Sequence, residues 1–392
     1  MRDWRACWLI GDNLGAMGNL NRRDFLKTAS AASLATSASN ALAAGQKQRV
    51  FIGSGTPDGI LAYDWDGTKG ELRAAGVAAK ISTVDWVTPS PRRDFLYAAA
   101  EVDTFNGKPT GEVASFRIAN GELQPMSAEN SASPGTCHVA LDQTGRVLLS
   151  ADYGGGSAAS FLVEGGKLST LVWTEHYTVH GPNKDRQQSA HAHFASYSPD
   201  NRFAYINDLG GDCIHIYSLN TATAMLRPAG TYHAKPGAGC RTLHFHPNGH
   251  TAYCVNELSS TVDVLHWDKS NGNLTRVTSI ELLPEGYHGP TTACDTVITK
   301  DGRFVYFANR ENDFLYSFRA DVKTGTLTAM KRSNCGGKTP RNFVLDPTER
   351  WMLVANQDSN LISVFARNPE TGVLAEQGKS FAAATPMCIL FL

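Results

Sequence analysis

The sequence predicts an all-β fold, a seven-bladed propeller in which the C-terminal strand completes the N-terminal blade. Three observations predict it: a strand–turn–strand unit that recurs along the chain, blade-sized spacing between the units, and an unpaired half-unit at each end.

The segment ahead of the first unit has a different character. Asn21, Arg22, Arg23, Asp24, Phe25, Leu26 and Lys27 lead into an Ala/Ser-rich, weakly apolar run ending in Ala41, Leu42 and Ala43. Paired arginines, a modest apolar stretch and small residues at its end are the features of a twin-arginine export signal over residues 1–43, with cleavage expected after about Ala43. The run is too short and too polar for a permanent membrane anchor. The expected mature chain is residues 44–392, one propeller domain, periplasmic or otherwise exported.

Composition narrows the partners. Net charge is −1 and no basic stripe or tail appears, which argues against nucleic acid. The expected partner is a small acidic or lactone substrate; the sequence leaves the oligomeric state open, with a monomer slightly favoured. Eight cysteines are scattered without C-x-x-C spacing, so no zinc site is indicated. Cys240, Cys254 and Cys294 have strand-like neighbours and read as buried free thiols. An exported chain permits a disulfide among the cysteines, but spacing selects no pair.

The repeat is clearest in SYSPDNRFAYINDL, HFHPNGHTAYCVNEL, VITKDGRFVYFANRE and VLDPTERWMLVANQD. Each is an apolar strand, a polar turn and a second apolar strand ending in Asn or Asp. ALDQTGRVLLSADY and WVTPSPRRDFLYAAA follow the pattern more loosely. A further alternating strand follows each pair, as in CIHIYSL and LISVFAR, giving about four strands per unit. Five positions before each turn stand Asp85, Cys137, His193, Arg241, Cys294 and Arg341, with Met387 in the corresponding place in TPMCILFL. Successive separations are 52, 56, 48, 53, 47 and 46 residues. The last strand lacks a following partner, while RVFIGSG near the mature start lacks a preceding one. Pairing them closes the ring without an exposed edge.

In such a ring the starts of first strands and the ends of second strands share one mouth. His193, Arg241 and Arg341 start first strands and Glu257 ends a second strand, so the four are expected to converge as catalytic residues. Charges lining a sheet-walled tunnel are costly unless used or paired. An Arg241–Glu257 structural ion pair is the alternative for those two. Asp208, His191 and Arg186 are candidate substrate contacts. The recurrence of Asp152, Asp208, Asn256, Asn309 and Asn356 at second-strand ends favours strand-end hydrogen bonding for all five. His191 and His193 fall on one side of a regular strand. The polar segment YTVHGPNKDRQQSA has the character of a loop over a channel mouth.

HGPNKDRQQSAHAH from His180, SPDNRFAYINDLGGDCIHIY from Ser198, HPNGHTAYCVNELSSTVDV from His246 and PRNFVLDPTERWMLVANQDSNLISVF from Pro340 carry a resemblance. Together they make residues 49–392 similar to the seven-bladed propeller lactonase family. That family includes bacterial 6-phosphogluconolactonases and fungal enzymes that cyclise 3-carboxy-cis,cis-muconate. The resemblance matches a histidine near a channel arginine to His193 and Arg241, an Asn-Glu-Leu triplet to Asn256, Glu257 and Leu258, and a Pro-Arg-Asn-Phe stretch to Arg341. Cys240 departs from the more usual proline, and an export signal is unexpected for an enzyme of a phosphorylated intermediate made inside the cell. The resemblance implies a lactonase acting on a small acidic or sugar-derived lactone. Its alternatives are a muconate-type lactonising enzyme and an exported, non-enzymatic binding propeller. In the lactonase reading the arginines stabilise the oxyanion or hold an acidic group, and Glu257 or His193 activates water. No cofactor or metal is expected, because no nucleophile elbow, phosphate loop or metal-ligand spacing is evident.

Overall fold

A computed structural model describes residues 48–392; the expected export signal and cleavage point lie outside them. Antiparallel pairing groups the strands into seven sheets. Six are consecutive in the chain. Their first strands are Val84–Pro89, Thr136–Leu141, Ala192–Tyr197, Cys240–Phe245, Ala293–Ile298 and Pro340–Leu345. The seventh joins the two ends, because Pro386–Phe391 pairs with Gln48–Ser54, followed outward by Ile60–Asp66 and Glu71–Ala79. The expected closure is therefore the observed one.

Each sheet grades from buried to wet. Phe203–Asp208, Thr251–Asn256 and Phe304–Asn309, all second strands, are buried at every position. Outer strands such as Met225–His233 are mostly exposed. The apolar cores lie between adjacent sheets. Val50, Ile52 and Trp65 pack with Leu353, Ile362 and Ile389, and Tyr253 and Val255 pack with Val305 and Phe307. Burying both faces of every sheet holds the ring together.

The first-strand turns have one chemistry. Ser198 Oγ accepts from Arg202 N and Phe203 N at 3.1 and 3.0 Å, and Asp346 Oδ1 accepts from Arg350 N and Trp351 N at 2.9 Å each. The fourth turn residue takes positive φ, 60° at Asn201 and 76° at Gly249, which explains the Asn and Gly found there.

One irregularity recurs in every sheet. The ladder slips at the second residue of the first strand: Ala192 faces Asp208 but Phe194 faces Asn207, with His193 unpaired between them. Arg241, Arg341, Asp85 and Cys137 occupy equivalent bulges. Cys294 lies in a slip from Ala293 to Thr296, and Met387 in the closing strand. A bulge re-aims its side chain out of the strand's alternation. The seven positions marked in the sequence thus form a ring of bulged residues around the channel.

Candidate active site

All seven bulged residues line the channel, together with Trp86, His138, Phe194, Thr242 and Asp295 one step along their strands. Here the free space is only about 30 Å³. The His138 ring packs between Trp86 and Phe194, with centroids 4.5 and 3.9 Å away, so aromatic rings narrow the tunnel. Above it a cavity of about 190 Å³ is lined by Glu101, Cys137, Tyr153, Arg186, His193, Arg241, Arg310 and Arg341.

The upper residues come from a second ring. Glu101, Tyr153, Glu257 and Arg310 each follow directly on the last residue of a second strand. Arg186 comes instead from residues 177–191. Its neighbour Gln187 anchors that segment by donating to Leu209 O at 2.9 Å and Asp212 Oδ1 at 2.7 Å. The segment expected to overhang the mouth therefore does so with a fixed arginine.

Glu257 is the electrostatic hub. Its buried carboxylate pairs with Arg241, with Arg186 at 2.7 Å and with Arg310 at 2.9 Å. Arg241 Nε also donates to Cys294 O at 2.9 Å. Burial alone would push the Glu257 carboxyl up, but Arg310, Arg241, His193 and Arg186 outweigh it and hold it well below the usual carboxylate range. A carboxylate paired with three guanidinium groups has the arrangement of a counter-ion, the ion-pair alternative raised for Arg241 and Glu257.

Across the mouth, Arg341 Nη2 donates to Asp85 Oδ2 at 2.5 Å, and Asp85 Oδ1 is buried without a partner among the described residues. Glu101 sits beside this pair. Burial, followed by the Asp85 charge, raises its carboxyl to about 8, so Glu101 is mainly protonated at neutral pH. His193 shows the opposite response. Burial, then the Arg241 charge, pushes its imidazole well below its ordinary value, and the ring is neutral. Its Nδ1 is buried without a partner among the described residues. The Cys137 thiol donates to His193 O at 3.3 Å, and burial pushes it well above its ordinary value. It is no nucleophile at neutral pH.

Two expected substrate contacts fall outside the cavity lining. The bulge at His193 breaks the alternation that put His191 on the same side. His191 instead stacks on Tyr153, with centroids 4.4 Å apart, while His193 meets that ring edge-on at 5.7 Å. Asp208 is fully buried, and its Oδ1 accepts from His191 N at 2.9 Å and Gly211 N at 3.1 Å. Asp152, Asn256, Asn309 and Asn356 make comparable strand-end bonds. That is the strand-end role their recurrence favoured, and it turns Asp208 away from the cavity lining.

His193, Arg241, Arg341 and Arg186 are thus brought together in the lining of one cavity. The sequence reading missed Glu101, Arg310 and Tyr153, although their places after the second-strand ends were readable, and it missed the pairing of Asp85 with Arg341. Four guanidinium groups confront two carboxylates committed to them and one protonated carboxyl, so the mouth carries surplus positive charge.

The fold and site define a propeller with a narrow, arginine-rich mouth suited to a small, electron-rich oxygen compound. A family model described as lactonase, 7-bladed beta-propeller, matches residues 49–391, and the chain belongs to that family. The 6-phosphogluconolactonase of Bacillus subtilis is 30% identical over 341 residues, covering 86% of this chain and 95% of its own. That of Formosa agariphila is 31% identical over 337 residues, covering 83% and 94%. The solved structure of a periplasmic gluconolactonase from Pseudomonas aeruginosa is similar with a TM-score of 0.83 at 30% identity, over 88% of this chain and 99% of that one.

Proposed function

We propose that the protein is an exported lactonase that opens a small sugar-derived or acidic lactone without a metal. The observation that carries this reading is the grouping, in one mouth of a lactonase-family propeller, of a neutral imidazole, a protonated carboxyl and surplus guanidinium charge.

The roles follow from charge states. His193 takes a proton from water as the water oxygen attacks the lactone carbonyl. Glu257, although clamped, favours the resulting imidazolium. Negative charge then develops on the carbonyl oxygen and is met by Arg241 and Arg310. A fixed donor of this kind contributes on the order of 10²-fold in rate. Collapse of the tetrahedral intermediate breaks the bond between carbonyl carbon and ring oxygen, and Glu101 delivers a proton to that oxygen. The product is the open hydroxy acid. The neighbouring Asp85 charge helps keep Glu101 protonated, and Arg186 contacts an acidic substituent where the substrate carries one. The twin-arginine signature over residues 1–43 supports an exported, periplasmic setting for this chemistry, the compartment named for the Pseudomonas aeruginosa relative.

The test is proton release and product analysis with purified residues 44–392, offering glucono-δ-lactone and its 6-phosphate in parallel. Acceleration above spontaneous hydrolysis, insensitive to chelators, supports the reading, and the preferred substrate shows whether the phosphate is used. No acceleration with either lactone, together with cyclisation of a carboxylated muconate or binding without turnover, refutes it.

A further inference from the structure

A second cluster with its own chemistry lies outside the channel. Asp208, Cys213 and His215 present one oxygen, one sulfur and one nitrogen, all within 4.8 Å of one another. The His215 Nε2 stands 3.4 Å from Asp208 Oδ2 and 3.5 Å from Cys213 Sγ. We propose that these three residues form a binding site for a zinc-class divalent cation, a function separate from lactone opening.

Three features carry the proposal. First, the oxygen and the sulfur both approach the same ring nitrogen. A relay of the nucleophile–histidine–acid kind needs the two partners on opposite nitrogens. One N–H, moreover, points along a single line and serves one acceptor well. A cation is bonded to all three atoms at once. Second, the spacing fits. Zinc bonds of about 2.3 Å to sulfur and about 2.0–2.1 Å to nitrogen and oxygen, at tetrahedral angles, put sulfur and nitrogen ~3.6 Å apart and nitrogen and oxygen ~3.3 Å apart. Third, the donors are held in advance. Asp208 and Cys213 are directly opposite in the hairpin formed by Phe203–Asp208 and Cys213–Asn220, and His215 is two residues on, along the same face. Asp208 Oδ1 is occupied by two backbone N–H groups, which leaves Oδ2 turned to the imidazole. The His215 ring is stacked on Tyr177, with centroids 4.0 Å apart and planes 6° from parallel, and the Tyr177 hydroxyl bonds that of Tyr217 at 3.0 Å. Such outer support orients metal-ligating histidines.

Sulfur, imidazole and carboxylate together suit zinc or cobalt rather than magnesium or calcium. Uptake replaces the thiol proton: Cys213 Sγ–H and the divalent ion give a thiolate–metal bond and one proton released to solvent. In sequence the ligands read Asp-x₄-Cys-x-His and span a hairpin turn, a spacing unlike the paired-cysteine patterns sought there. The site lies near the mouth, because the N–H that Asp208 accepts belongs to His191, which stacks on Tyr153.

The experiment titrates chelator-treated residues 44–392 with Co²⁺ and reads the visible and near-ultraviolet spectrum, then repeats with Cys213→Ser and His215→Gln. The expected result is one equivalent of Co²⁺ with tetrahedral bands and a thiolate charge-transfer band that Zn²⁺ abolishes and Mg²⁺ does not. Cys213→Ser should lose the charge-transfer band, and His215→Gln should weaken binding at least on the order of 10²-fold. Circular dichroism of the metal-free variants confirms that each is folded. Should either fail to fold, zinc X-ray absorption of the wild-type protein decides through a shell of one sulfur with nitrogen and oxygen neighbours. A metal shell without sulfur, no Co²⁺ uptake by the wild type, or an identical charge-transfer band in folded Cys213→Ser overturns the site. Lactone turnover is not the readout, so failure here leaves the lactonase reading standing, and the reverse holds.

Discussion

Replacing Glu257 with Gln keeps the side-chain volume and removes one charge from the centre of the mouth. In the native protein that charge faces Arg241, Arg310 and Arg186, whose side chains are 6, 15 and 38% exposed. Arg186 is screened by solvent and is left out of the sum. Arg241 and Arg310 are not, and orphaning a buried charge of this kind costs about 3–5 kcal/mol. For a propeller of this length that corresponds to a melting temperature lower by about 4–7 °C. Calorimetry of the wild type and Glu257→Gln measures it. A Glu257→Gln/Arg310→Met double variant should recover part of the loss, since it removes one orphaned cation with its partner. The pH dependence carries a sign as well. Because the Glu257 carboxyl is held well below its unfolded value, its contribution is present above about pH 4.3 and is lost as pH falls through the folded-state value. The acid limb of the stability curve should therefore flatten in Glu257→Gln. An unchanged melting temperature and acid limb, with turnover abolished, would refute the counter-ion account and return Glu257 to direct chemistry.

Three further outcomes are expected. Glu101 is protonated below about pH 8, so turnover should fall as pH rises through that value; Glu101→Gln should lower kcat by about 10²–10⁴-fold and erase that limb of the profile, and a surviving limb would exclude Glu101 as the acid. His193→Asn should lower kcat by a comparable factor with KM little changed, whereas Arg186→Ala should chiefly raise KM for a phosphorylated lactone, both read from saturation kinetics. Removing residues 386–392 strips the closing sheet of the buried Met387, Ile389 and Phe391; at about 1.5–3 kcal/mol for each large side chain, the loss rivals the whole stability of a domain, and retention of the wild-type cooperative transition would contradict the closure.

The ring was legible because its turns announce themselves. Ser198, Asp346 and their counterparts must cap a tight turn, and counting back five residues from each cap lands on the bulge. That same count carried His193, Arg241 and Arg341 to one place. The companion ring was only partly read: Glu257 was noticed beside Asn256, while Glu101 after Ala100 and Arg310 after Asn309 stood in the same relation to their strands. Pairing was harder, since Arg341 meets Asp85 across 256 residues of chain and past the closing strand. No local pattern states which charge neutralises which. The role of Glu257 turned on this, because two of its three arginine partners were not counted with it. His191 lies outside the cavity lining for a smaller reason, a single inserted residue in a ladder that alternation assumes is regular.

The bulges have a consequence for how such a molecule changes over time. A residue that lies outside the ladder can be exchanged without changing the backbone register of its blade, and the seven positions already hold an aspartate, a histidine, two arginines, two cysteines and a methionine. The ring's chemistry is therefore set apart from the backbone pairing, although its arginines remain tied to buried carboxylates. Each blade contributes one letter, and a new substrate can be tried by respelling the ring while the architecture that displays it stays the same.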